Sequence, residues 1–457
     1  MPRNNEAVGT KLQRIADKAQ KDSQCKFTSL FHLMNKDLLW ECFQQLRKDA
    51  AVGIDQVTKE EYGANLEQNL DELIRRLHTM SYIPQPVRKV LIPKPGSNKK
   101  RPLGIPSLED KLVQSGLTRI LTAIYEADFI EDSYGFRPNR GCHDALRALS
   151  QAVEGNAVNH IVDADIKGFF DNVDHEWMLK FLEHRIADKR VLRYIVRFLK
   201  AGVMSEGVVK ESDMGTPQGG VISPVLANIY LHYSLDLWFE RVFRKTCSGY
   251  ARLIRYADDF VACFKQKEDA RRFREELEGR LAVFGLEISP EKTKIIEFGP
   301  LAGIKAKKNG GKPETFDFLG FTHYCSRTRD GKRFRMKRQT SSKKNMLAIR
   351  KLTEWLKANR TMPTRELVEK VAVKMKGHYA YYGVTDNTKG ISRYAYEVQR
   401  SLLKWMNRRG KRGCMNWEKF NLLLKKFPLP TPRICVSIWK SPSRPKPHKQ
   451  MKLVANP

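Results

Sequence analysis

The chain has 457 residues, more than one hydrophobic core ordinarily serves, so two to four domains are expected. Its 41% hydrophobic and 10% aromatic content excludes a disordered chain, and no run approaches the ~18 apolar residues of a membrane span. Lysine and arginine number 83 against 51 acidic residues, a net charge of +32, which calls for a polyanionic partner.

That charge is unevenly placed. Residues 331–457 hold 32 basic and 6 acidic side chains, a net of +26, whereas the first 330 hold 51 and 45, a net of +6. A nearly balanced front joined to a strongly basic rear points to nucleic acid. The opening segment Met1-Pro2-Arg3-Asn4-Asn5-Glu6 lacks both the apolar core of a secretory signal and the Arg/Ser-rich character of a transit peptide, so a cytoplasmic protein without membrane attachment is expected. The eight cysteines (Cys25, Cys42, Cys142, Cys247, Cys263, Cys325, Cys414 and Cys435) form no C-x-x-C pair. Neither a zinc knuckle nor a disulfide framework is suggested, and they read as reduced, mostly buried thiols.

In chain order, residues 1–26 read as polar and weakly helical, either a mobile arm or a surface helix. Phe27 to Met80 is helical in pattern, with turns near Gly53 and Gly63. Val87 to Pro93 reads as a strand, Lys94 to Lys100 as a basic turn, and a second strand runs toward Ile105. Helices are predicted from Leu108 to Ala127 and from Gly141 to Glu154. His160 to Ile166 alternates like a strand that carries Asp163 and Asp165 on one face. After Gly168 the pattern is helical to about Gly202, and Gly215 to Gly220 is a loop. Ser223-Pro224 reads as an N-cap followed by proline at the first helical position, with Leu226, Ile229, Tyr230, Tyr233 and Leu237 as the apolar stripe.

Arg252 to Phe264 reads as strand, tight turn, strand, with Asp258-Asp259 at the turn. A helix from Glu268 to Phe284 and a strand from Lys294 to Phe298 follow. Beyond Met336 the pattern becomes all helical. Its stripes are Met346, Ile349, Leu352 and Leu356, then Leu367, Val371 and Met375, then Val398, Leu402 and Trp405. Pro428 to Pro447 is expected to be extended.

A strand-end Asp165 and two adjacent aspartates on a hairpin turn can bring acidic oxygens to one point. Like charges that close repel unless a cation neutralises them. Mg²⁺ suits such a place, because it takes one or two carboxylates together with substrate phosphates. Two such ions about 3.5–4 Å apart activate a 3′-hydroxyl and stabilise a leaving pyrophosphate. Taken singly, each aspartate is more ordinarily a cap or turn residue.

Five blocks in order carry a resemblance to a known family: Arg101-Pro102-Leu103-Gly104-Ile105-Pro106, Ser133-Tyr134-Gly135-Phe136-Arg137-Pro138, Asp163-Ala164-Asp165-Ile166-Lys167-Gly168-Phe169-Phe170-Asp171, Gly215-Thr216-Pro217-Gln218-Gly219-Gly220 and Tyr256-Ala257-Asp258-Asp259. Together they resemble bacterial group II intron reverse transcriptase/maturases, from about Phe27 to Tyr382 and more weakly to Arg412. The resemblance implies an α+β right-hand polymerase with fingers, a palm built on an antiparallel sheet, and an all-helical, basic thumb or maturase region. It divides the chain into an arm (1–26), an N-terminal extension with fingers (27–157), a palm (158–335), a helical thumb or maturase domain (336–400) and a basic nucleic-acid-binding region (401–457).

Carried over by motif, Asp165, Asp258 and Asp259 are the expected catalytic, metal-binding carboxylates, with the main-chain carbonyl of Ile166 as a further metal contact. Two Mg²⁺ ions are implied, with Mn²⁺ able to substitute. Lys94 and Arg101 match residues that reach the incoming triphosphate, which agrees with the use of cations in phosphoryl transfer. Phe170 matches an aromatic gate against a 2′-hydroxyl and Gln218 a residue lying against the nucleotide. Lys292 matches a lysine that protonates pyrophosphate, with a plain surface lysine as the alternative. Phe318-Leu319-Gly320 resembles the primer grip, or equally a core strand.

Tyr379, Tyr381 and Tyr382 cannot all face one core, so either RNA bases or a tyrosine-rich helix interface engages them. Arg408, Arg409, Lys411 and Arg412 suit phosphate binding. Many members of the family end in a cysteine-rich HNH endonuclease; Cys414 and Cys435 alone cannot build its zinc site, so second-strand cleavage by this chain is not expected. The implied function is RNA-directed DNA synthesis together with binding of the parent group II intron RNA in splicing and retrohoming. The implied partners are that RNA, an RNA template with a DNA or RNA primer, dNTPs and target DNA. Two alternatives stand beside it: a free-standing reverse transcriptase serving defence, CRISPR-linked or repair functions, and an RNA-binding splicing factor whose polymerase is vestigial.

Overall fold

The chain passes back and forth between two folding units. One is made of residues 1–141, 162–262 and 268–294, the other of 142–161, 263–267 and 295–457. The computed structural model describes residues 5–93, 100–155, 158–205, 208–210, 214–215, 219–409 and 415–439. Lys94, Gln218, Lys411 and Arg412 lie outside the described residues.

From the N-terminus come α1 (Asn5–Lys21), α2 (Lys36–Gln45), α3 (Lys59–Ala64), α4 (Leu66–His78), the hairpin β1 (Val87–Pro93) and β2 (Lys100–Ile105), and α5 (Leu108–Tyr125). Local chemistry sets several starts. The side chains of Asn35 and Ser107 accept backbone N–H groups at the heads of α2 and α5, and Thr58 with Glu61 forms a capping box at α3. The chain breaks at Asn65 rather than at Gly63, which lies inside α3. Residues 5–21 do not form a free arm. Helix α1 packs on α5 with Val8 and Ala19 buried, and the buried Arg185 donates to the carbonyls of Ala19 and Asp22, each at 3.0 Å.

Next come α6 (Cys142–Gly155), β3 (His160–Asp165), α7 (His175–Glu183), α8 (Lys189–Lys200), β4 (Val203–Ser205), β5 (Val208–Lys210), α9 (Ser223–Leu231), α10 (Leu237–Arg241), β6 (Ala251–Tyr256), β7 (Asp259–Phe264), α11 (Lys267–Ala282) and β8 (Lys294–Glu297). One sheet has the order β2-β1-β4-β5, with Ile92 opposite Arg101 in its antiparallel hairpin. A second has the order β6-β7-β3-β8. Helix α9 departs from expectation. Its N-cap is Ile222, Ser223 is already helical, and the helix is buried nearly all round because α5 and α7 both pack on it. A five-residue π-helical segment, His232–Asp236, links α9 to α10.

The second unit adds α12 (Pro300–Lys308), β9 (Phe316–Phe318), β10 (Phe321–Arg327), β11 (Phe334–Thr340), α13 (Ser342–Ala358), α14 (Thr364–Tyr382), α15 (Thr388–Met406) and α16 (Trp417–Lys426). The all-helical region therefore starts at Ser342, not near Met336. The preceding stretch is a strand, in which Met336, Arg338 and Thr340 alternate inward. The three helical stripes meet in one core that contains Leu352, Leu356, Leu367, Val371, Met375, Val398, Leu402 and Trp405, although Met346 is exposed. From Pro428 to Trp439 the chain forms neither helix nor strand apart from a bridge between Val436 and Val384, beside which Cys435 donates its N–H to the Gly383 carbonyl at 2.6 Å.

All described cysteines are free, but only Cys42 and Cys263 are fully buried, fewer than expected. No described helix is long and apolar enough to cross a membrane.

Within α14, His378 lies face to face on Tyr394, ring centroids 3.6 Å apart. Its Nε2 is buried without a hydrogen-bond partner, and burial pushes its pKa down from 6.5 to about 4. As pH falls below about 6.5 the unfolded chain takes up a proton that the folded chain refuses, so stability declines between pH 6.5 and 4. His378→Phe keeps a ring on Tyr394 but cannot titrate. Relative to the wild type it is expected to retain about 2–3 kcal/mol more of its neutral-pH stability at pH 4, as measured by denaturant unfolding at pH 7 and pH 4.

Candidate active site

The strands β6 and β7 leave a two-residue turn, Ala257-Asp258, with Asp259 as the first residue of β7. Ala257 takes φ 57°, the left-handed region that a side chain with a Cβ enters at a cost. Tertiary contacts hold it there. Arg255, wholly buried, donates through Nη1 to the Ala257 carbonyl at 3.0 Å and to Asn228 Oδ1 at 2.9 Å. Its other edge grips Asp236 in a two-pronged pair, Nε to Oδ1 at 2.8 Å and Nη2 to Oδ2 at 2.5 Å. Asp236, also fully buried, is offered by the π-helical segment, and such insertions recur at functional sites.

The loop after α5 braces the same turn. Tyr134 N–H donates to the Arg255 carbonyl, and Arg255 N–H donates to Asp132, both at 2.9 Å. Asn228 Nδ2 donates to the Gly135 carbonyl at 2.7 Å. A Cβ on Gly135 would lie 2.4 Å from the Ala257 nitrogen, so only glycine lets the loop pass beneath the turn.

Asp165 ends β3, and Asp258 sits close enough to feel its charge. Burial raises the Asp258 pKa above the usual carboxylate value, and the Asp165 charge adds to the rise. A hydrogen bond to its own backbone and the cations Arg101 and Arg255 oppose it. Lys292 Nζ donates to Asp165 Oδ2 at 2.6 Å. This lysine is fixed by its loop: Ser289 N–H donates to the Asp165 carbonyl at 2.7 Å, Lys292 N–H donates to Ser289 at 3.1 Å, and Ile166 bridges Ile288. Asp259 is exposed. Hard carboxylate oxygens close together, with an ammonium already drawn to one of them, form a donor set that suits a divalent cation. Among the described residues, no three His, Cys, Asp or Glu side chains converge at ligating distance as the site stands.

Phe170 is half-buried, edge-on to Phe169 at 5.3 Å. Arg101 is exposed on β2. Gln218 lies outside the described residues; Gly215 of the same motif donates its N–H to Val173 at 2.8 Å and accepts His175 Nε2 at its carbonyl at 2.6 Å.

In the second unit, Phe318 and Phe321 pair across a two-residue turn, Leu319-Gly320, with φ 49° and 79°. Leu319-Gly320 is thus a hairpin turn, with Phe318 and Phe321 buried in the strands on either side of it. Tyr381 Oη donates to the Leu319 carbonyl at 2.9 Å, and its ring stacks on Phe321. Tyr379 is buried against Tyr394, and Tyr382 packs on Phe321 and His378. Tyr379 therefore belongs to a helix interface, whereas Tyr381 and Tyr382 pack on the hairpin. Arg408 is exposed beside Trp405, whereas Arg409 turns inward and donates to Thr364 Oγ1 at 2.9 Å.

The motif reading missed Arg255, Asn228 and Asp236. The available signal was a charged residue, Arg255, at the inward phase of an apolar strand that also holds Ala251 and Leu253. Arg255→Met leaves the Asp236 carboxylate buried and unpaired, at an expected cost of about 3–5 kcal/mol in denaturant unfolding. Arg255→Lys keeps the charge but loses the two-pronged grip and is expected to fall between that variant and the wild type.

Comparison with known proteins agrees with this architecture. Residues 92–323 match the model of the reverse transcriptase (RNA-dependent DNA polymerase) family, and residues 346–422 match the maturase-specific domain of group II introns. The chain is similar to the group II intron-encoded protein LtrA of Lactococcus lactis subsp. cremoris, 28% identical over 467 residues that span 86% of this chain and 76% of that one. It is also similar to protein YkfC of Escherichia coli K12, 34% identical over 276 residues that span 53% of this chain and 71% of that one. The strand-and-hairpin unit that holds Asp165 and Asp258 lies within the first matched region and the three-helix core largely within the second, so the chain belongs to the group II intron reverse transcriptase/maturase family, an RNA-directed DNA polymerase joined to a maturase domain that serves intron splicing.

Proposed function

We propose that this chain copies RNA into DNA at Asp165, Asp258 and Asp259, and that the RNA it serves as a maturase is its own parent group II intron. In this reading those carboxylates and the Ile166 carbonyl hold Mg²⁺, or Mn²⁺ in its place. When bound, such ions activate the primer 3′-hydroxyl and stabilise the leaving pyrophosphate. Arg101 and Lys94 steady the triphosphate of an incoming dNTP, Phe170 crowds a 2′-hydroxyl, Gln218 lies against the nucleotide, and Lys292 turns from Asp165 toward the pyrophosphate. Phe318-Leu319-Gly320 supports the primer strand. Arg408, Lys411 and Arg412 bind phosphates of intron RNA and target DNA, whereas Arg409 serves the fold through Thr364. Residues 27–157 act as N-terminal extension and fingers, 158–335 as palm, 336–400 as thumb and 401–457 as a basic appendage, in a cytoplasmic protein.

The observation that carries this reading is electrostatic. Asp258 lies under the opposed influence of Asp165 and Arg101, so acidic and basic groups from two strands and a finger hairpin meet at one place. The test is extension of a primer annealed to an RNA template with Mg²⁺ and dNTPs, followed by splicing of the parent intron. Asp258→Asn is expected to drop extension to background while leaving stimulation of splicing intact, since RNA binding does not need the metals. Undiminished extension in that variant overturns the assignment.

The ion pair predicts a second result. Lys292→Ala is expected to tighten Mn²⁺ binding, read by electron paramagnetic resonance without nucleotide, by about 2–5-fold, the range for an exposed pair. Asp165→Asn is expected to weaken it.

A further inference from the structure

Phe136 lies in the Ser133-Tyr134-Gly135-Phe136-Arg137-Pro138 block, to which the reading above gives no chemistry. Its neighbours are pinned on both sides. Gly135 is pressed beneath Ala257 and held by Asn228. Arg137 is buried, its guanidinium donating to the carbonyls of Ile130 at 2.6 Å and Ser133 at 2.7 Å, and to Glu126 at 3.0 Å. Between these anchors Phe136 is driven to φ 55°, which a bulky side chain rarely adopts. The ring that results is not sheltered. It is 55% exposed, and its centroid lies 6.4 Å from that of Tyr256, the residue before the Ala257-Asp258 turn.

A strained backbone that displays an apolar ring to water contributes little to folding, since glycine would relax the first and remove the second. The arrangement has a use if the ring meets a flat apolar surface. A nucleobase is such a surface, and aromatic side chains stack on bases with little regard to sequence, as a polymerase that copies any template requires. We propose that Phe136 is a nucleobase-stacking residue, held beside Tyr256 to form an aromatic ledge for a base of the bound primer–template duplex next to Asp258. This rests on the reading of the Asp258 turn as the polymerase centre.

The test measures equilibrium binding, not turnover, with the full chain and an RNA–DNA duplex carrying 2-aminopurine at successive positions near the primer terminus. Stacking quenches that fluorophore in the wild type at one or two positions. Phe136→Leu, which keeps an apolar side chain, and Phe136→Gly, which relieves the left-handed backbone, are both expected to lose the quench and to raise the duplex Kd by about 5- to 150-fold. Phe136→Tyr is expected to retain both. Phe136→Gly is also expected to melt no lower than the wild type. An unchanged quench and Kd in Phe136→Leu overturns the proposal. So does a lowered melting temperature in both Phe136→Leu and Phe136→Gly, because the ring is then a packing residue. Asp258→Asn separates the two readings: extension that survives it sinks the polymerase assignment, whereas the duplex binding of the Phe136 variants judges the ledge alone.

Discussion

A guanidinium cut off from water holds the centre of the first unit in place. Arg255 and Asp236 are both fully buried, and a buried ion pair is favourable only when geometry is good and the remaining donors are satisfied. Here they are: two prongs to Asp236, one bond to Asn228, one to the Ala257 carbonyl. The left-handed conformation of Ala257 is local strain that the same contacts offset. Because Asn228 also reaches Gly135, helix, hairpin and loop share one network, and a change in any member leaves a charge or carbonyl stranded in the core.

The site built on that frame is a problem in repulsion. Burial raises the cost of ionising Asp258, and the nearby Asp165 charge adds to it. Without a divalent ion the nearest remedy is a side-chain cation, which Lys292 supplies to Asp165. Both partners are about half exposed, so the pair is weak enough to exchange. Lys292, which the sequence leaves open between a lysine serving pyrophosphate and a plain surface lysine, is held by backbone bonds within reach of the carboxylate.

The second unit solves a different task. Its three-helix core is ordinary apolar packing, but the tyrosines of α14 reach past it to the Leu319-Gly320 turn, where Tyr381 satisfies a carbonyl and Tyr382 packs beside Gly320. The expected grip segment and the helical domain are therefore one mechanical piece. The basic surface expected for phosphate binding divides in the same way: Arg408 stays in solvent, whereas Arg409 is drawn toward the head of α14.

The sequence by itself determined the strands and helices whose signals are local: β1 over its full length, the hairpin around Asp258, and the stripes of α14 and α15, because side-chain periodicity and turn residues act within a few positions. It also determined the family, since five motifs in order leave little choice, and with it the polymerase chemistry. Tertiary structure decided the rest. Helix α1 reads as an arm because its polar surface hides two small buried contacts and a cap supplied by Arg185, far away in sequence. The end of strand β11, beyond Met336, reads as helix because an inward position holds a charged residue, Arg338, which blurs the period of two. Arg255 shows in the sequence only as a charge at an inward strand position, and the roles of Arg255, Asn228, Asp236 and the strained Phe136 come from partners about 20 to 120 residues away. Hydrogen bonds across such separations follow from how the chain packs, and no local pattern encodes them.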